Sequence, residues 1–138
     1  MVDKNVIAGR AQQIEGHLAR IAPYVSLPLK KFLNDPVAQD IVEYNLFQTV
    51  NHLIDVVQHI VVDEGYGFPD SAYEAAEMLR KNGILKQAEV EVFKKMIGFR
   101  NVVGHDYISI NKRTVHTILT KGQKDIHTLL SRIVEKFL

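Results

Sequence analysis

Apolar residues recur along the chain at helical spacing almost throughout. Ile7, Ala11, Ile14, Leu18 and Ile21 alternate steps of four and three, the narrow seam of one amphipathic helix, and Asp3 stands where its N-cap belongs. The stretch "PYVSLPLKKFLNDP" breaks the pattern, with two prolines flanking a short helical turn. Asp35-Pro36 restarts it, an N-cap followed by proline at the first helical position. The next helix is expected to run to about Glu64. Its apolar residues, from Ile41, Val42, Leu46 and Phe47 through Val50, Leu53, Ile54 and Val57 to Ile60 and Val61, form a stripe too wide for a surface helix. It is therefore expected to be central and covered from several sides. A polar line of Tyr44, Gln48, Asn51, Asp55, Gln58 and His59 runs along it.

"DEGYGFPDS" reads as a loop, and Ser71 with Glu74 as a capping box for a short helix ending near Gly83. A further helix is expected from about Gln87, with Val92, Met96, Phe99 and Val103 on one side and Val90, Phe93 and Ile97 on another. Gly104 is in place to be its left-handed C-cap. Asn111 caps a last helix that carries Val115, Ile118, Leu119, Ile126, Leu129, Leu130, Ile133 and Phe137, and Gly122 lies in that seam where it would let a neighbouring helix approach. No segment alternates as a strand does. The expected fold is all-α, an up-and-down bundle of four long helices plus one short helix, in one domain over residues 1–138.

Composition narrows the chemistry. Hydrophobic residues make up 46% and charged residues 24%, as in an ordinary globular protein. Lys and Arg total 17 against 16 Asp and Glu, a net charge of +1, so an anionic ligand has to be drawn to a local patch and not to the whole molecule. The absence of cysteine excludes disulfides, thiolate nucleophiles and zinc–thiolate sites. Charged residues interrupt the N-terminal "MVDKNVIAGRAQQIEGH" before an apolar signal could form, and no run approaches the ~18 residues of a membrane span. A cytoplasmic location is expected.

One stretch concentrates reactive groups: "FRNVVGHDY", with Arg100, His105 and Tyr107. Six Arg and six His make an Arg-x4-His pair a weak signal, about 0.26 expected by chance; a Tyr two residues later lowers that to about 0.01. Five residues of ideal helix turn through about 500°, which leaves Arg100 and His105 about 140° apart. They converge only if Gly104 ends the helix between them. Asn101, four before His105, would then share the border of one small pocket with both. Read locally, the alternative is equally simple: Arg and His in a last turn bind terminal carbonyls and complement the helix dipole, and Tyr107 closes the helix end.

The residues "RNVVGHDY" resemble the Arg-x4-His-x-Tyr motif of the HepT-like branch of the HEPN family. "EYNLFQTVNHLIDVVQHI" resembles that family's long second helix, and "PDSAYEAAEMLRKNGIL" followed by "MIGFRNVVGHDY" its order of short helix, buried helix and motif. The likeness spans nearly the whole chain. It implies a helical, dimeric, metal-independent ribonuclease toxin of a type VII toxin–antitoxin system, paired with an MntA-like nucleotidyltransferase antitoxin. It also implies that Arg100 and His105 are catalytic, that Asn101 is an accessory polar residue and that Tyr107 is the tyrosine modified with AMP. Higher oligomers stay open.

Asp55 and His59, four apart on the central helix, form a second candidate, with Asp55 expected near Arg100 or His105 as an orienting group. Neither His52 with His59 nor His105, His116 and His127 has the spacing of a metal site, and no cofactor-binding loop is present, so no metal and no cofactor are expected. Lys94 and Lys95 lie within two turns of Arg100 and are candidates to guide RNA. The competing function is a non-catalytic helical module of the same fold that binds RNA, nucleotide or a partner protein.

Overall fold

A computed structural model describes residues 2–105 and 110–138. Helix α1 spans Lys4–Ile21 and is followed by a 3-10 turn at Ala22–Tyr24. The one-and-a-half-turn α2, Leu29–Leu33, precedes the long α3, Pro36–Asp63. Then come α4 (Ala72–Lys81), α5 (Gln87–His105), α6 (Lys112–Thr117) and α7 (Gln123–Phe137), with a π-helical stretch at Ile118–Gly122 joining the last two. The described residues contain no strand. The four long stretches of the expected bundle are α1, α3, α5 and the α6–α7 run; α4 is the short helix, and α2 is the turn between prolines.

The capping chemistry accounts for where these helices start. Asp3 accepts from the Asn5 amide at 2.9 Å, Asp35 from Ala38 at 3.0 Å, and Asn111 from Arg113 at 2.9 Å. Ser71 accepts from Glu74 at 3.1 Å, while the Glu74 carboxylate reaches back to the Asp70 amide at 3.1 Å, one residue further than in the usual capping box. Gly83, just past α4, has φ +75°, the left-handed position that favours glycine.

Helix direction follows from the contacts. Arg10 meets Asp55 and His17 meets Asn45, so α1 and α3 are antiparallel. The Gly104 backbone faces Phe47 while Arg100 stands with Asn51 and Asp55, so α5 opposes α3. Arg132 pairs with Glu89, and His127 with Glu15, which sets α7 against both α5 and α1. The result is an up-down-up-down bundle with α3 buried along most of its circumference.

Two local expectations change. Gly104 is helical with no positive φ, and α5 continues through His105; a Cβ at Gly104 would stand 3.7 Å from the Phe47 ring of α3. Gly122 is buried as expected, but a Cβ there would meet Ile118 of the same helical run at 3.1 Å and no atom of another helix within 4 Å. The tight spot belongs to the π stretch, where an extra residue per turn crowds its own side chains.

Several polar side chains buried along α3 are paired. Gln39 donates to the Phe32 carbonyl at 2.8 Å and Thr49 to that of Asn45 at 2.8 Å. Glu43, 1% exposed, is paired with Lys112 at the start of α6, tying that helix to α3. Removing the lysine leaves a buried carboxylate without its counter-charge. Lys112→Met is expected to lower stability by about 3 kcal/mol in urea unfolding, and the double change with Glu43→Leu to restore most of it. Equal stability of the single variant and the parent would show the pair to be dispensable.

Candidate functional site: a two-arginine cleft on the central helix

The polar line of α3 becomes the floor of a cleft of about 430 Å3. Asn51, Asp55 and Gln58 recur at four and three residues and so share one face of the helix. Helices α1 and α5 pack on either side of that face and bring Arg10 and Arg100 to it. His52 and Ile54 complete the wall. Arg10 forms a 2.6 Å ion pair with Asp55. The Nε of Arg100 is buried and has no hydrogen-bond partner among the described residues. An unpaired buried donor costs about 1–3 kcal/mol, which an anionic ligand at this position would offset.

His52 is half-buried, and its ring stacks on His17 with centroids 5.3 Å apart. Burial holds its pKa below the usual histidine value; the neighbouring His17 and Arg10 push the same way, and Asp55 opposes them. The imidazole in the cleft is thus kept neutral near physiological pH. Two guanidinium groups, one carboxylate and a neutral imidazole can hold a phosphodiester and take up a proton beside it.

The sequence-predicted residues are dispersed around this cleft. Arg100 lines it. Asp55 lines it too, but its charge partner is Arg10 of α1, not Arg100 or His105. Asn101 turns away: its amide donates to the Tyr73 hydroxyl of α4 at 3.5 Å. His105 is exposed in the last described turn of α5. Because α5 is unbroken through His105, the helical offset of about 140° from Arg100 stands, and one chain does not gather Arg100, Asn101 and His105 around one pocket. Tyr107 lies outside the described residues.

His59 belongs to another surface depression, with Asn5, Gly9 and Gln13 of α1. Lys94 is engaged by Glu77 at 2.9 Å, which raises its pKa, so it is not a free cation to guide RNA. His116 is bonded to the Leu27 carbonyl at 2.7 Å and serves to hold α6 against the loop before α2. A larger groove of about 650 Å3 between α5 and the α6–α7 run has mostly aliphatic and aromatic walls and contains neither Arg100 nor His105.

Arg10 is the site residue that the sequence pattern hides. It sits one position before Ala11 in the seam of α1, so it borders the buried face, but nothing local ties it to Asp55, 45 positions away. An arginine flanking a seam is the only available signal, and it is a weak one.

Fold and cleft define a protein that is helical throughout its described residues, with an arginine-lined cleft on its central helix. The chain belongs to the HepT-like ribonuclease family, whose family model matches residues 14–133. The mRNA nuclease HepT of Shewanella oneidensis is 29% identical over 103 residues, 75% of this chain and 77% of that protein. A tri-AMPylated HEPN toxin from S. oneidensis, solved in complex with an MNT antitoxin, superposes with a TM-score of 0.87 at 26% identity, over 96% of this chain and 99% of that one. A cytosolic protein of unknown function from Bacillus subtilis shares the fold alone, with a TM-score of 0.84 at 14% identity over 98% of this chain and 90% of that one.

The lowered pKa of His52 carries a stability consequence. As pH falls below the ordinary value of 6.5, the unfolded chain takes a proton at this residue before the folded chain does. Stability is therefore expected to fall through that window and to level off once the folded form is protonated as well. His52→Gln removes this contribution. A melting-temperature profile from about pH 8 to about pH 5 should be shallower for the variant; parallel profiles would refute the burial-driven shift.

Proposed function

We propose that the protein is a metal-independent endoribonuclease toxin of a type VII toxin–antitoxin system, cytoplasmic and homodimeric. The observation that carries the proposal is the Arg100 side chain, which lines a two-arginine cleft with a buried Nε unpartnered among the described residues, in a chain belonging to the HepT-like ribonuclease family. No helix among the described residues is long and apolar enough to cross a membrane.

The chemistry uses the substrate's own nucleophile. The RNA 2′-oxygen attacks the adjacent phosphorus while a histidine accepts its proton; the bond from phosphorus to the 5′-oxygen breaks, and a proton is delivered to that oxygen. The products are a 2′,3′-cyclic phosphate and a 5′-hydroxyl. Arg100 neutralises the charge that builds on the non-bridging oxygens. His105 supplies the proton transfers. An unbroken α5 splays His105 away from Arg100 of the same chain, and its exposure leaves it free to enter the cleft of a second copy. Two motifs related by a two-fold axis then supply the two histidines that base and acid roles require. Asp55 acts at one remove, by holding Arg10 in the cleft, and Asn101 by fixing α5 against α4.

Tyr107 is the proposed control point, modified with AMP by an MntA-like nucleotidyltransferase antitoxin. The tri-AMPylated HEPN toxin that this chain resembles supports that reading. AMP on Tyr107 would add bulk and negative charge that compete with the RNA phosphate. The second reading, a non-catalytic module that binds RNA, nucleotide or a partner protein, gains no separate support from the cleft.

RNA cleavage in the presence of EDTA separates the two. Wild type is expected to cut, and Arg100→Ala and His105→Ala to lose at least about a hundredfold in rate while keeping the wild-type fold. Cutting by folded His105→Ala at the wild-type rate would refute the assignment, and loss of cutting on chelation would point to a metal mechanism. Mass spectrometry after incubation with a cognate nucleotidyltransferase and ATP should locate AMP on Tyr107; AMP at other residues only, with Tyr107 unmodified, would overturn the control role.

A further inference from the structure

The seam between α1 and α3 carries a second row of polar and aromatic groups that leads away from the cleft. On α1, Arg10, His17 and Arg20 recur at seven and three residues; on α3, Tyr44, Gln48, His52 and Asp55 recur at four, four and three. The antiparallel helices set these stripes side by side. The stacked His17 and His52 rings are inclined by 25°, and His17 meets the Tyr44 ring edge-on at 6.3 Å. Tyr44 is half exposed, and its hydroxyl is held by Gln48 at 3.3 Å.

Hydrogen-bond directions show which groups are already engaged. His17 Nδ1 lies 2.9 Å from Asn45 Oδ1 and 3.2 Å from Arg20 Nη1, and one ring nitrogen cannot serve both. Asn45 decides the matter. Its amide nitrogen donates to the Ile41 carbonyl at 2.8 Å, so its oxygen faces His17 and accepts from the ring N–H. That nitrogen then has no lone pair for Arg20. The exposed Arg20 guanidinium rests beside the ring with Nη1 against it, and no carboxylate among the described residues pairs with it. Arg10 is neutralised by Asp55, so Arg100 at one end and Arg20 at the other remain as cations available to an anion. Ten residues of α1 separate Arg10 in the cleft from Arg20, about 15 Å. Asp40, one turn beyond Tyr44 and exposed, closes the basic stretch.

We propose that this seam is an RNA-binding track: a single strand engaged in the cleft continues along it, with Arg20 binding a backbone phosphate and Tyr44 and the His17–His52 pair offering bases a stacking surface. The inference rests on the ribonuclease reading of the cleft and extends it to substrate class, single-stranded RNA held with little sequence preference. Phosphate contacts and base stacking carry both the affinity and that tolerance. Burial, and after it the charges of His17 and Arg10, hold the His52 pKa below its ordinary value, which favours a neutral ring in the stacked pair. An acidic protein surface would also match Arg20, but it would make no use of exposed Tyr44 as a stacking face.

The test is binding of a fluorescent oligouridine of about a dozen nucleotides by the full-length protein, read by anisotropy across a salt series, in the non-cleaving His105→Ala background. Arg20→Gln is expected to weaken binding about five- to tenfold and to reduce the slope of log affinity against log salt by about 0.7. Tyr44→Ser is expected to weaken it about tenfold with the slope unchanged. Both positions are exposed, so the melting temperature should hold. Lys136→Gln removes one charge from the exposed face of α7 and should change neither quantity. Unchanged binding in either Arg20→Gln or Tyr44→Ser overturns the track, as does an equal loss in Lys136→Gln. If wild type cuts RNA in EDTA while both track variants bind like the parent, only the track fails. If wild type binds but never cuts, and the two variants still weaken binding, the track stands and the ribonuclease reading falls.

Discussion

Helix α3 cannot be left in water on most of its circumference. Half of its 28 residues are buried, including Leu46, Leu53, Val56, Val57, Ile60 and Val61. A helix this apolar has to be covered, and α1, α2, α4, α5 and α6 all contact it. The one face that keeps its polar residues, from Tyr44 to Gln58, is where α1 and α5 leave a gap. The cleft is thus a product of core packing: the helices that bury α3 arrive from two sides and bring Arg10 and Arg100 to the edge of its polar face.

Charge balance gives that gap its character. A net charge of +1 rules out a molecule-wide attraction for a polyanion, so binding depends on which arginines keep their charge uncompensated. Asp55 takes Arg10, and Glu77 takes Lys94. Arg100 keeps a buried donor without a partner among the described residues, and the Asn45–His17 bond leaves Arg20 without an acceptor on that ring nitrogen. Arg20 and Arg100 thus stand at the two ends of one seam of a nearly neutral protein, and their placement has more bearing on ligand choice than the total charge.

Helix capping and periodicity were legible because both are local. Asp3, Asp35, Ser71 and Asn111 each cap the helix that follows, since a short side-chain acceptor two or three residues ahead of an unpaired amide needs nothing from the rest of the chain. Gly104 shows where such local reasoning fails. A glycine followed by histidine has the chemistry of a helix end, but α5 runs on through both with helical backbone. The helical path through His105 also leaves it about 140° around α5 from Arg100.

The sequence by itself determined the helical class, the central helix, and Arg100, His105 and Tyr107 as the motif to weigh, because periodicity, caps and a family resemblance all lie along the chain. Only the tertiary structure decided what those residues stand beside. Arg10 joined Asp55 across 45 positions, Asn101 turned to Tyr73, and His17 stacked on His52, pairings that no local pattern encodes. The physical reason is the directionality of side chains on packed helices. One residue of helix is about 100° of rotation, so neighbours in sequence face different partners, and the burial of α3 sets which distant residues meet.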